Sequence, residues 1–74
     1  MTEIEQIRKR LEDIVSKIGK YESSMESLKE ELNSITKQIY QEVDKASKAD
    51  REELDNLIML KNIAKAKIEF QQRL

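Results

Sequence analysis

The stretch that decides the fold is residues 4–39, IEQIRKRLEDIVSKIGKYESSMESLKEELNSITKQI. Apolar side chains and one tyrosine recur through it at alternating intervals of three and four residues, at Ile4, Ile7, Leu11, Ile14, Ile18, Tyr21, Met25, Leu28, Leu32, Ile35 and Ile39. We call this set the a/d stripe. Five heptads of such spacing place a narrow apolar stripe along a helix, and such a stripe is buried against other helices. The pattern therefore predicts an all-α fold.

The composition supports the same fold class. The chain has 74 residues, of which 39% are charged and 4% aromatic, with one glycine and no proline. Such a composition is typical of coiled coils and long helices. The net charge is −1, and the basic run Arg8–Arg10 lies among acidic residues with no interleaved aromatics. We therefore expect neither nucleic acid nor a membrane surface as a partner.

Signals of catalysis are absent from the sequence. It has no histidine and no cysteine, so the usual zinc ligands and a thiolate nucleophile are missing. It also lacks a glycine-rich phosphate loop and a nucleophile elbow. Adjacent acids such as Glu30 and Glu31 point about 100° apart on a helix and do not converge. We expect a protein that is not an enzyme, with no catalytic residue, metal or cofactor.

The sequence also bears on localisation. Residues 1–3 lack the basic and then apolar pattern of a signal peptide. The longest unbroken apolar run is residues 57–60, far short of a membrane span. We expect a cytoplasmic protein.

The extent of the first helix depends on Gly19. Thr2 and Glu5 match a capping box at the N-terminal end. If Gly19 ended this helix, Ser23 could cap a second one, giving three helices over 2–18, 23–46 and 50–74. The a/d spacing runs through residues 19–24 without a shift, however. A glycine in a helix interior costs only about 1 kcal/mol. The spacing therefore favours one helix over 2–46.

A turn follows where the apolar spacing falters after Ile39. Residues 44–53 are polar, and they include two candidate N-caps, Ser47 and Asp50. Asp50 with Glu53 forms a capping box ahead of a new apolar run. Because no glycine or proline enforces the turn, a single straight helix also stays open. We predict one domain over 1–74, with a helix over 2–46, a turn over 46–50 and a helix over 50–74.

The C-terminal helix is apolar on two opposite sides. Leu54, Leu57, Ala64 and Ile68 share one face, and the other carries Met59, Ile63, Ala66, Phe70 and Leu74. A helix that is apolar on two sides must be covered on both. In addition, the shorter second helix of a hairpin cannot reach the N-terminal part of the a/d stripe. This second argument disappears in the three-helix alternative.

These arguments predict an antiparallel helical hairpin, with a long N-terminal coiled-coil helix and a shorter C-terminal helix, that associates into an oligomeric helical bundle. A homo-oligomer is expected, and a dimer is the simplest form. The predicted contacts with another chain are Ile4, Ile7, Leu11, Ile14, Ile18, Met59, Ile63, Phe70 and Leu74.

We consider three functional hypotheses. The first is a small self-associating helical interaction protein, such as an adaptor, assembly chaperone, scaffold or inhibitor, with a protein partner. The second is an oligomer that binds a small anionic ligand such as a nucleotide between subunits, through Lys61, Lys65, Asn62 and Arg51. Against it, lysine stems can simply lie along an apolar face with their ammonium groups in water. The third is a three-helix binding module.

Overall fold

The structure, a computed structural model, describes residues 3–20 and 24–73. These residues form three helices: α1 spans Glu3–Lys20, α2 spans Met25–Val43 and α3 spans Lys48–Arg73. No strand occurs in either described range. The all-α class predicted from the a/d stripe is confirmed.

The a/d stripe does not form the single helix predicted over 2–46. Ser24 has an extended backbone (φ −65°, ψ 145°), and its hydroxyl accepts a hydrogen bond of 3.1 Å from the backbone N–H of Ser27. This is the N-cap that begins a new helix. The prediction failed because the break does not disturb the heptad spacing. Ile18 is the last stripe residue of α1, Met25 is the first of α2, and the two are one heptad apart. A connection of this length leaves the a/d phase unchanged, so the phase cannot reveal the break.

The structure therefore has the order of the three-helix alternative, with different ends. Gly19 lies inside the last turn of α1 rather than after its end, and a Cβ added there would meet nothing within 4 Å. Close packing is therefore not the reason for a glycine at this position. Predictions that involve Thr2, Tyr21 and Ser23 fall outside the described residues.

The connection between α2 and α3 is a short turn over residues 44–47. The backbone N–H of Lys45 donates to the carbonyl of Glu42 at 3.1 Å as α2 ends. The Ser47 hydroxyl then accepts from the N–H of Asp50 at 3.3 Å. Ser47 is thus the N-cap, and Asp50 lies within the first turn of α3. The predicted start of this helix was two residues late, because the capping-box pattern at Asp50 and Glu53 is also satisfied inside a helix.

The three helices run up, down and up around one shared core. Arg8 of α1 forms an ion pair with Glu53 of α3 near the start of both helices, and Ile18 and Phe70 line one recess near their ends. α1 and α3 are therefore parallel. α2 runs antiparallel to them, and its Gln38 accepts a hydrogen bond from Arg10. The buried core consists of Ile7, Leu11, Ile14, Ile18, Leu28, Leu32, Ile35, Ile39, Leu54, Leu57, Ala64 and Ile68.

Candidate functional site

Four of the residues predicted to contact another chain are instead part of this core. Ile7, Leu11, Ile14 and Ile18 are each at most 2% exposed, and Ile4 is partly buried beside them. The prediction that they meet another chain assumed a long helix whose N-terminal half had nothing to pack against. Because the chain breaks before Ser24 and folds back, α2 and α3 cover this part of the stripe. Ile7, Leu11, Ile14 and Ile18 are therefore covered within the chain, whereas Ile4 stays partly exposed.

The inward face of α3 is the one predicted from the sequence. Leu54, Leu57, Ala64 and Ile68 are at most 3% exposed. Ile58 and Leu60, on its flanks, are partly buried against the core. This face holds α3 on the bundle.

The opposite face of α3 carries a row of exposed apolar side chains. Met59, Ile63 and Phe70 are 63%, 49% and 62% exposed, and Ala66 is exposed between them. Their spacing of four, three and four residues places them on one side of the helix, over a length of about 16 Å. We call Met59, Ile63, Ala66 and Phe70 the outer stripe. The two-faced character predicted for the C-terminal helix is confirmed for these four, whereas Leu74 is outside the described residues.

A row of this kind differs from ordinary surface hydrophobics. Single exposed apolar residues are common on soluble proteins, but contiguous patches mark interaction sites. Among the described residues, the one other large exposed hydrophobic is Tyr40 of α2, which is 55% exposed. The exposed apolar surface of the described bundle is therefore concentrated on α3.

An open recess continues the outer stripe toward the end of α1. It has a volume of about 420 Å³ and is lined by Ile18, Gly19, Ala66, Lys67, Phe70 and Gln71. Because Gly19 has no side chain, the adjoining side of Phe70 is left open. The apolar surface available to a partner therefore includes this recess as well as the stripe.

Charged side chains flank the outer stripe in an ordered way. Glu52 and Asp55 lie on the side of its N-terminal end, and Lys67 and Arg73 lie near its C-terminal end. All four are exposed. Asp55 and Arg73 thus place an acid and a base beyond opposite ends of the stripe, while Lys48, Arg51 and Glu69 are also exposed along this helix.

Within one chain, the residues of the anion site predicted between subunits all lie on α3, with Lys61, Asn62 and Lys65 inside about one helical turn. Lys61 is half-buried, and Lys65, Asn62 and Arg51 are exposed along α3. Arg51 precedes Lys61 by ten residues, which corresponds to about 15 Å along a helix. None of the four lines the recess beside Phe70 or a second recess formed by Ile4, Glu5, Arg8, Asp50 and Glu53. The intermediate exposure of Lys61 fits a stem that lies along the apolar face.

Two polar contacts between helices were not expected from the sequence. Arg8 and Arg10 belong to a basic run that reads as solvated surface, yet Arg8 pairs with Glu53 and Arg10 donates to Gln38. The partners are 45 and 28 residues away along the chain, so no local pattern could have indicated either pair. Both contacts join α1 to another helix at the edge of the core.

No group of three or more acidic side chains in residues 3–20 and 24–73 is placed to hold a metal ion. Within the same residues, no helix is apolar enough over sufficient length to cross a membrane. Neither a family model, nor a curated protein, nor a solved structure matches this chain. The function must therefore be argued from the outer face of α3.

Proposed function

We propose that this chain is a small helical interaction protein, of the adaptor, scaffold, assembly-chaperone or inhibitor kind, that binds another helical surface through the outer stripe of α3. The observation that carries the proposal is the exposure of Met59, Ile63 and Phe70 in one row, on a helix whose opposite face is fully used by the core. The role is one of binding rather than catalysis. The site of binding in this proposal is α3 alone, because the apolar face of α1 is buried.

The spacing of the stripe fits recognition between helices. Anchors at i, i+4, i+7 and i+11 follow one face of a helix and pack against the groove or face of another. Moving a Met, Ile or Phe side chain fully out of water contributes about 1.5–3 kcal/mol. Part of that gain is offset by the lost freedom of the two partners. Three such anchors with a small residue between them support a moderate, reversible affinity.

Site-specific photocrosslinking tests the proposal. A photoreactive phenylalanine analogue at position 63 is expected to join the chain to a discrete protein in cells of the native host, because this position lies in the middle of the stripe. The matched control carries the same analogue at Glu12, which is exposed on α1. Adding Met59→Lys and Phe70→Lys is expected to remove the product from position 63 without loss of helical circular dichroism. Equal crosslinking from positions 12 and 63 would refute a binding role for the stripe.

A further inference from the structure

We infer that the surface covering the outer stripe is the same stripe of a second copy of this chain, packed antiparallel across a two-fold axis between Ile63 and Ala66. The inference rests on the proposed function and names its partner. Three features of the outer face carry it: its accessibility, the order of its side-chain sizes and the order of its charges.

The outer stripe is free to meet another helix along its whole length. At about 100° per residue, the middle of the stripe lies on the side of α3 opposite the buried face of Leu54, Leu57, Ala64 and Ile68. α1 and α2 pack on that buried face. A second copy can therefore pack on α3 from the outside, beside the recess at the end of α1, and each copy keeps its own core.

The order of side-chain sizes favours antiparallel packing. In that arrangement Met59 meets Phe70 of the second copy, and Ile63 meets its Ala66. A large side chain is then opposite a small one at the centre, and the two ends carry favourable sulfur–aromatic contacts. In a parallel pair, Ile63 would face Ile63 and Ala66 would face Ala66. The two isoleucines would then be crowded, and a gap would lie between the two alanines. Side chains that line such a gap lose packing contacts.

The order of charges favours the same arrangement. Asp55 and Arg73 are both exposed and are eighteen residues apart, which is five helical turns, so they lie on the same flank of α3. An antiparallel two-fold brings this flank of one copy against the same flank of the other, with Asp55 level with Arg73 of the second copy. Two equivalent ion pairs then close the ends of the interface. A parallel pair would instead bring Asp55 level with Asp55 and Arg73 level with Arg73.

The remaining charge on this flank is compatible with the register. Glu69 lies farther from the centre of the stripe and comes level with Leu60 of the second copy, which is neutral. Arg51 shares the flank of Glu69 and lies beyond the end of the second copy's α3. The helix dipoles of the two α3 helices also oppose each other, which is the favourable orientation. A single helix pair about 32 Å long, from Glu52 to Arg73, is a small interface, so we expect dissociation in the micromolar range.

Disulfide trapping tests the orientation directly, because the chain has no cysteine of its own. Asp55 and Arg73 lie on one flank beyond the two ends of the outer stripe, so Asp55→Cys and Arg73→Cys leave its apolar contacts in place. In the antiparallel register, position 55 of one copy lies against position 73 of the other on the same flank, where the Cα separation of about 4.4–6.8 Å that a disulfide needs can be reached. Mixing the two variants should give a disulfide dimer under mild oxidation at least tenfold faster than either variant alone.

Other outcomes of the trapping experiment are equally informative. Rapid dimers from each variant alone would show a parallel pair and overturn the inference. No trapping at all, together with a different protein crosslinked to position 63, would overturn the inference but leave the proposed function standing. No trapping and no specific crosslink would refute both.

Exchanging the flanking charges tests the same orientation independently, because it leaves the apolar side chains of the outer stripe unchanged. Asp55→Arg should raise the dissociation constant of the dimer about fivefold to tenfold at low salt, because it replaces two surface ion pairs with two repulsions. The double variant Asp55→Arg, Arg73→Asp should restore affinity, and Glu30→Arg, on exposed α2 surface, should not change it. Sedimentation equilibrium measures all four chains. A monomer at tens of micromolar for the unmodified chain, or no recovery in the double variant, would overturn the inference.

Discussion

At the scale of single residues, two serines determine where the chain changes direction. The hydroxyls of Ser24 and Ser47 each accept a hydrogen bond from the backbone N–H three residues later, at 3.1 and 3.3 Å. The first backbone N–H groups of a helix have no partner within the helix, so such a cap stabilises a start at that position. These two contacts separate α2 from its neighbours although the chain has no proline and only one glycine.

The cap at Ser24 can be tested by substitution. Ser24→Ala should lower the free energy of unfolding by about 1 kcal/mol, because the N–H of Ser27 loses its acceptor. Urea unfolding followed by circular dichroism measures the change. Ser34→Ala is the matched control: it lies exposed in the middle of α2, where alanine is the better helix former, so stability should stay equal or rise slightly. A Ser24 variant as stable as the control would show that the break does not depend on this cap.

At the scale of the helix, α3 is the element with two different uses for its apolar residues. One face is at most 3% exposed and joins the core, and the outer stripe is largely exposed. α1 and α2 have no comparable second row of large exposed side chains among the described residues. We therefore expect substitutions on the buried face of α3 to affect stability and substitutions on the outer stripe to affect association.

A pair of alanine substitutions tests this division. Leu57→Ala should lower the free energy of unfolding by about 2–5 kcal/mol, because a buried side chain is replaced by a cavity. Ile63→Ala should change it by less than about 0.5 kcal/mol, because an exposed position leaves no cavity. Thermal and urea unfolding, followed by circular dichroism, measure both changes. The lowest workable protein concentration is used so that association does not contribute to the measured stability. Equal losses for the two variants would contradict the two-faced description of α3.

At the scale of the whole molecule, the fold-back between α1 and α2 determines which surfaces remain for partners. It brings the N-terminal half of the a/d stripe onto α2 and α3, and it leaves the dimensions of the described chain at 40 × 21 × 16 Å. A continuous helix over residues 2–46 would be about 65 Å long. Among the described residues, the large apolar surface left exposed on this bundle therefore lies mainly on the outer stripe.

An intramolecular distance tests the arrangement of helices. Labels at Gln6 and Arg51, both exposed, should lie about 20 Å apart or less, because α1 and α3 are adjacent parallel helices with axes about 8–10 Å apart. In a two-helix hairpin with its turn near residue 48, the same labels would be about 60 Å apart. Double electron–electron resonance on labelled chains diluted with unlabelled chains measures the distance within one copy. A long distance under these conditions would restore the hairpin.

The sequence by itself determined the helical class, the inward face of α3 and the exposed row that becomes the candidate site. It could do so because a period of three and four residues states which side of a helix is apolar, and this holds whatever the helix packs against. The turn before α3 was also placed within a few residues, since the polar segment over 44–53 lacks core side chains. Helix ends were less accurate because Ser47 and Asp50 satisfy the same capping pattern.

Only the tertiary structure decided that the a/d stripe belongs to two helices and that its N-terminal half is covered within the chain. Periodicity shows which side of a helix is buried but not what covers it. The stripe residues on either side of the break, Ile18 and Met25, are one heptad apart, so the break leaves the period intact. The pairing of Arg8 with Glu53 likewise depends on which helices become neighbours in space. The number of helices and the surface left for a partner are therefore properties of the packed bundle, because both depend on contacts between residues that are far apart in the chain.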